Sequence, residues 1–151
     1  MVAVATEVGA ILGNGSTAER AALKSYCELV GEAFQVQDDL LDVVADEKQF
    51  GKTIGGDIVE GKKTFLLITA LQRAKGEERR FLQRLVDEGG VPKGKVARVR
   101  QIFLSTGAVE AAEVQIANDI AKAKEQLGAL NDSESAHMLS WFADMLLSRK
   151  S

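Results

Sequence analysis

The most informative stretch of the chain reads FQVQDDLLD and occupies residues 34–42. Four of its polar residues, Gln35, Asp38, Asp39 and Asp42, stand at relative positions 0, 3, 4 and 7. Residues with this spacing share one face of an α-helix. The stretch therefore predicts a helix that carries three carboxylates along a single polar face.

Nothing in the surrounding sequence neutralises this acidic stripe, because no basic residue occurs between Lys24 and Lys48. The same segment holds seven acidic residues, which are Glu28, Glu32, Asp38, Asp39, Asp42, Asp46 and Glu47. Like charges at helical spacing destabilise a helix, as do carboxylates near its C-terminus. A bound cation would remove this cost, and Mg²⁺ binds carboxylates together with phosphate oxygens and water. A solvated helix face also fits an acidic stripe, so the stripe alone leaves both interpretations open.

The segment after the stripe is rich in glycine and lysine, and helical periodicity fails from Asp46 to Gly61. Its glycines and lysines are Gly51, Gly55, Gly56, Gly61, Lys48, Lys52, Lys62 and Lys63. Glycine lets the backbone approach an anion, and Lys62 stands where the next helix is predicted to begin, with free amides that favour phosphate. The stripe and the loop together predict a diphosphate site with Mg²⁺ on one side and lysine on the other.

The rest of the chain predicts helices, because Pro92 is the only proline and strong helix formers dominate. Ser16 and Glu19 have the spacing of a capping box. Apolar periodicity and breakers predict helices over about 2–12, 17–45, 62–71, 77–86, 92–104, 108–127 and a last one, capped at Asn131 with Glu134, that ends near 147. The first has no start signal, so we expect the chain to begin inside a helix. The fold class is predicted as all-α, in a single domain over residues 1–151.

Composition narrows the classes of function. The 151 residues are 46% hydrophobic and 27% charged, as expected of a folded soluble chain. A net charge of −3 does not favour nucleic acid or an anionic membrane as a partner. No apolar stretch approaches the roughly 20 residues that span a bilayer. Cys27 is the only cysteine and no signal peptide opens the chain, which predicts a cytoplasmic protein.

Four motifs give the sequence a specific resemblance. They are the run from Gly31 to Asp42, the pairs Gly51-Lys52 and Gly56-Asp57, and the run from Glu60 to Thr64. In this order they resemble the second aspartate-rich region of the trans-isoprenyl diphosphate synthases, the family of farnesyl and geranylgeranyl diphosphate synthases. A match in several ordered parts is far more specific than a single motif.

The resemblance implies a role for each matching residue of the stripe. Asp38, Asp39 and Asp42 correspond to the family's DDxxD motif, which binds Mg²⁺ and acts in catalysis. Phe34 and Gln35 correspond to the pair that lies beside the allylic substrate. Magnesium is accordingly the cofactor that the resemblance implies.

The loop residues complete the implied site. Lys52 and Lys62 correspond to catalytic lysines that contact the substrate diphosphate, and Asp57 corresponds to the family's loop aspartate, which we include in the substrate-binding set. The implied reaction condenses an allylic diphosphate with isopentenyl diphosphate, so that the isoprenoid chain grows by one five-carbon unit. Mg²⁺ and cationic side chains stabilise the departing diphosphate in this chemistry.

The resemblance also implies the fold and the assembly. Family members fold as antiparallel helices around a deep pocket, with two aspartate-rich motifs facing each other across it, and usually form homodimers. This chain carries one DDxxD motif, at Asp38–Asp42, and no other. It is therefore interpreted as the C-terminal half of the isoprenoid synthase fold, part of a larger prenyltransferase domain. We expect such a half to leave an apolar helix face uncovered and to be inactive alone.

Two other functions remain compatible with a chain that has one of the two motifs. The first is a non-catalytic helical subunit that binds a partner synthase and regulates it. The second is a plain metal-binding helical module. An open reading frame that continues upstream through a second DDxxD motif would favour truncation of a synthase over both alternatives.

Overall fold

The computed structural model describes residues 2–44 and 55–147, which form helices, turns and short loops without a β-strand. The α-helices of these residues are α1 (Val2–Leu12), α2 (Thr17–Val44), α3 (Gly56–Val59), α4 (Phe65–Arg73), α5 (Gly76–Glu88), α6 (Val96–Ser105), α7 (Ala108–Gln126) and α8 (Glu134–Leu147). Short 3₁₀ turns lie at Lys93–Lys95 and Leu127–Ala129. The all-α prediction is confirmed. Within the described residues, no helix combines the length and the apolar character that crossing a bilayer requires.

The junction between α1 and α2 follows the predicted signals. Asn14 takes the left-handed backbone conformation, with φ of 53°, two residues after α1 ends. The backbone N–H of Ser16 donates to the Glu19 carboxylate at 2.7 Å, and the N–H of Glu19 donates to Ser16 Oγ at 3.3 Å. The bond from the Ser16 backbone holds the pKa of the Glu19 carboxyl below its usual value. The capping box is confirmed, as is a helix that already includes Val2.

The described residues divide into two compact units. One consists of residues 2–35 and 115–147, and the other of residues 36–44 and 55–114. Helix α2 contributes its first part to one unit and its last turns to the other. The single domain predicted over residues 1–151 stays a prediction.

In the first unit, α1 and α8 both contact α2. The hydroxyl of Tyr26 donates to the Leu139 carbonyl at 2.7 Å, and Thr6 Oγ1 lies 2.9 Å from Cys27 Sγ. Both contacting helices still expose large apolar side chains, which are Val4, Val8, Ile11 and Leu12 on α1 and Met138, Trp141, Phe142 and Met145 on α8. This exposure agrees with the expected uncovered apolar face next to the long helix.

In the second unit, α4 contacts both α5 and α6, and the short helix α3 contacts α6. The fully buried side chains of these helices include Leu66, Leu82, Leu85, Val99 and Phe103. Helix α4 begins at Phe65, three residues after Lys62, where the sequence pattern placed its start. The reason is local, because Thr64 Oγ1 accepts the backbone N–H of Leu67 at 3.3 Å and caps the helix there. The last helix is likewise capped by Ser133 instead of Asn131, since Ser133 Oγ accepts the Ala136 N–H.

Candidate functional site

The five predicted site residues of the stripe all lie on the C-terminal turns of α2. Asp38 is exposed, Asp42 is half-buried and Asp39 is buried, with 8% of its surface accessible. Phe34 and Gln35 are exposed on the part of α2 that belongs to the first unit, while the aspartates belong to the second. The three carboxylates are therefore not equivalent, although their spacing in the sequence made them look so.

Asp42 has the best-defined role of the three, because it holds the turn that leads into α3. Its backbone carbonyl accepts the N–H of Gly55 at 2.9 Å. Its carboxylate oxygens accept the next two amides, Gly56 N–H at 3.3 Å and Asp57 N–H at 3.0 Å. Three consecutive amides thus point at one aspartate, which satisfies donors that a helix start otherwise leaves free. We call Asp42 together with residues 55–62 the aspartate turn.

The far end of the aspartate turn is closed by an ion-pair cluster. Lys62 Nζ pairs with the carboxylate of Asp57 in a short hydrogen bond and with that of Glu60 at 3.2 Å. The bond to Asp57, followed by the bond to Glu60, raises the pKa of the Lys62 ammonium above its usual value. Lys62 therefore stays charged at neutral pH, and 56% of its side-chain surface remains accessible. A ligand anion at Lys62 would share this ammonium with Asp57 and Glu60.

A close approach between two backbone segments fixes the aspartate turn within the second unit. A Cβ atom on Gly61 would lie 2.4 Å from the Gly89 carbonyl carbon, and one on Gly90 would lie 2.0 Å from the Val59 carbonyl oxygen. Both glycines also have positive φ, +63° and +131°, which side-chain-bearing residues rarely adopt. The local sequence of the Gly89-Gly90 pair, which is followed closely by Pro92, indicates no more than a helix break. The role of the pair in seating the turn has no signal in the local sequence, because the contact joins segments about thirty residues apart.

The roles predicted for the site residues, including Lys52 and the Mg²⁺ ligands, stay predictions. Lys52 lies outside the described residues, as do the neighbouring Gly51 and the acidic Asp46. Among residues 2–44 and 55–147, no group of three or more His, Cys, Asp or Glu side chains is arranged to hold a metal ion by itself. Magnesium does not require such a group, since it is usually bound by one or two carboxylates together with water and substrate phosphate. The oxygen donors of Asp38 and Asp39 fit that chemistry.

Comparison with known proteins decides the family of this chain. The sequence profile of the polyprenyl synthetase family matches residues 1–106. The chain belongs to this family. The family resemblance inferred from the aspartate stripe and its loop is therefore confirmed.

Individual relatives agree with the family assignment. A short chain isoprenyl diphosphate synthase from Methanothermobacter thermautotrophicus is 41% identical over 150 residues, which is 99% of this chain and 46% of that protein. The all-trans-nonaprenyl-diphosphate synthase of Rhodobacter capsulatus is 35% identical over 130 residues, covering 86% of this chain and 39% of that protein. This chain thus spans less than half the length of these relatives.

Solved structures show the same fold. A decaprenyl diphosphate synthase from Rhodobacter capsulatus superposes with a TM-score of 0.89 at 32% identity, over 98% of this chain and 46% of that one. A polyprenyl synthase from Caulobacter crescentus, crystallised with calcium and isoprenyl diphosphate, gives a TM-score of 0.86 at 31% identity over 99% and 46% of the two chains. Nearly the whole of this chain accordingly has the helical isoprenyl synthase fold, and it corresponds to about half of the solved chains.

Proposed function

We propose that this chain provides one of the two metal- and diphosphate-binding motifs of a trans-prenyltransferase. The whole enzyme would condense an allylic diphosphate with isopentenyl diphosphate in a magnesium-dependent reaction. The observation that carries the proposal is the aspartate turn, in which the DDxxD aspartate Asp42 holds the glycine-rich loop that bears Asp57 and Lys62. The hydrogen bonds from the Gly56 and Asp57 amides to Asp42 thus join the loop motif to the acidic motif, although the two are separate in sequence.

The residues of the chain would divide the work between them. Asp38 and Asp39 would offer carboxylate oxygens to Mg²⁺, while Asp42 holds the aspartate turn in position beside them. Lys62, with Lys52, would contribute positive charge to the substrate diphosphate. Magnesium, when bound, supplies Lewis-acid stabilisation of the negative charge on a departing diphosphate. The Caulobacter crescentus relative, whose crystal holds calcium and isoprenyl diphosphate, supports a divalent cation and a diphosphate as the ligands.

Several finer features belong to the same proposal. We expect no isopentenyl transfer by the 151-residue chain alone, since its sequence holds one DDxxD motif where the resemblance implies two. The full enzyme would be a cytoplasmic homodimer. Neither the family profile nor the relatives favour the alternative of a non-catalytic regulatory subunit. Radiolabelled isopentenyl diphosphate turned over by this chain alone would refute the expected inactivity.

The test of the site is whether Mg²⁺ and diphosphate bind interdependently. Mg²⁺ affinity is measured by calorimetry with and without inorganic diphosphate, and we expect diphosphate to tighten Mg²⁺ binding by a factor typical of coupled ligands, about 5- to 150-fold. The Asp38→Asn variant should lose most of this coupling. Glu32→Gln, which removes an exposed carboxylate of α2 outside the motif, is the matched control and should keep it. Equal Mg²⁺ affinity with and without diphosphate would show that the stripe is only a solvated face.

A further inference from the structure

Positive charge is concentrated in one segment of the second unit. Residues 73–100 contain nine basic side chains, Arg73, Lys75, Arg79, Arg80, Arg84, Lys93, Lys95, Arg98 and Arg100. They contain four acidic ones, Glu77, Glu78, Asp87 and Glu88. The segment therefore has a formal charge of +5 (9 − 4), in a chain whose total is −3. Such a local excess favours an anionic ligand, whatever the sign of the whole chain.

A surface cleft gathers part of this charge. It encloses about 190 Å³ between α5, α6 and the turn that joins them. Arg84 and Glu88 line it from α5, Lys95 from the 3₁₀ turn and Arg98 from α6, above an apolar floor that includes Phe81. Three cations and one carboxylate thus face the same small space. We call this the basic cleft.

The three cations of the basic cleft are held differently. The guanidinium of Arg98 stacks over the Phe81 ring, 4.4 Å from its centroid, and pairs with the Glu77 carboxylate at 2.6 Å. That pairing lowers the pKa of the Glu77 carboxyl and fixes Arg98 at the wall of the cleft. Within the described part of the chain, neither Arg84 nor Lys95 forms a salt bridge with a carboxylate. Their charge is the part that a ligand could neutralise.

We propose that the basic cleft binds a small phosphate-bearing anion, at a site separate from the aspartate turn and independent of Mg²⁺. Guanidinium and ammonium groups are the usual protein ligands of phosphate oxygens, and Arg84 and Lys95 offer one of each. The cleft is smaller than the roughly 300 Å³ at which pockets for drug-sized ligands begin, which favours a small anion. Its limited volume and the negative total charge argue against a nucleic acid strand.

Inorganic diphosphate in the presence of a chelator is the probe, because chelation removes the magnesium-dependent site from the measurement. Binding to the intact chain is followed by ¹⁵N NMR and by calorimetry. The double variant Arg84→Gln/Lys95→Gln should weaken binding by about tenfold or more, since two charge-assisted contacts are lost. Arg79→Gln/Lys93→Gln is the matched control, because it also removes one charge from α5 and one from the 3₁₀ turn, but outside the cleft. This control should change the affinity less than twofold.

A gain-of-affinity variant makes the test sharper. Glu88 is the one carboxylate that lines the cleft, so Glu88→Gln should tighten diphosphate binding severalfold. Equal losses in the two double variants would mean that only the bulk charge of the segment matters, and would overturn the proposal. So would an affinity that Glu88→Gln leaves unchanged, or binding to vesicles containing phosphatidic acid without any response to free diphosphate.

Discussion

The aspartate turn and the basic cleft are both charged regions of the second unit, but the charged groups of the turn are more fully partnered than those of the cleft. In the turn, Asp42 receives three backbone amides, and Lys62 is paired with two carboxylates. In the cleft, Arg98 forms an ion pair with Glu77. Among the described residues, no ion pair balances the positive charge of Arg84 and Lys95. A region whose charged groups already have partners, and whose carboxylates outnumber its lysine, gains from a cation and an anion that bind together. A region with excess positive charge can bind an anion alone.

The largest expected effect is a loss of stability, caused by a substitution at the glycine contact that fixes the aspartate turn. Gly90→Ala should lower the free energy of unfolding by about 3 kcal/mol, because the new Cβ would collide with the Val59 carbonyl and the backbone has positive φ. Gly94→Ala is the control, since a Cβ there meets nothing within 4 Å. Urea unfolding of both variants measures the difference. Equal stability of Gly90→Ala and the unmodified chain would mean that the two segments do not meet closely.

The next effect separates the aspartates of the stripe. Asp42→Asn should lower the free energy of unfolding by about 1–3 kcal/mol, because the new amide group opposes backbone N–H donors that a carboxylate oxygen accepted. Asp38→Asn, at an exposed position of the same helix, should cost no more than about 1 kcal/mol. Thermal unfolding checks both. If Asp38→Asn proves the more destabilising variant, the assignment of Asp42 as the residue that holds the turn is wrong.

The smallest expected effect is the pH dependence of stability, which has opposite signs in the two regions. The Lys62 pKa is raised by its carboxylate partners, so its contribution to stability is present below the ordinary lysine value of 10.5 and is lost as pH rises beyond it. The Glu77 pKa is lowered by Arg98, so its contribution is present above 4.5 and is lost as pH falls. The destabilisation caused by Lys62→Gln should therefore decline as pH rises above 10.5, and that caused by Glu77→Gln should decline as pH falls below 4.5.

Unfolding midpoints of these variants, each compared with the unmodified chain across the pH range, test this contrast. Because each variant is compared with the unmodified chain at the same pH, the effects of groups that titrate equally in both chains cancel. Both side chains are exposed, so the differences will be small and reduced by salt. Absence of a Lys62 effect at neutral pH, where the ammonium and its carboxylate partners are all charged, would contradict the pairing with Asp57.

Elements with strong local signals could be predicted from the sequence. The capping box of Ser16 and Glu19 fixed the start of α2, and the spacing of the aspartates placed them on one helix. The four-residue helix α3 was not predicted, because Asp42, fourteen residues before it, holds its first amides. The start of α4 was predicted at Lys62, but the helix begins at Phe65 because the Thr64 side chain caps it there.

Properties that depend on tertiary contacts could not be predicted. The difference in burial between Asp38 and Asp39 arises from packing around α2, which helical spacing does not reveal. Two further features arise only when the unit folds, because each brings together residues that are apart in the sequence. They are the contact of Gly61 with Gly89-Gly90 and the shared cleft of Arg84 and Lys95. The roles of the site residues are expectations from the family resemblance, whereas the contacts around Asp42 and Lys62 are seen only in the structure.

The most direct test of the site is one residue-resolved NMR titration with inorganic diphosphate, carried out first in chelator and then with excess Mg²⁺. In chelator, we predict shifts confined to amides around Arg84, Lys95 and Arg98. On addition of Mg²⁺, new shifts should appear at residues 38–42 and 55–62, and Asp38→Asn should abolish them. If Mg²⁺ and diphosphate together leave residues 38–42 and 55–62 unchanged, the aspartate turn is not a magnesium-dependent diphosphate site.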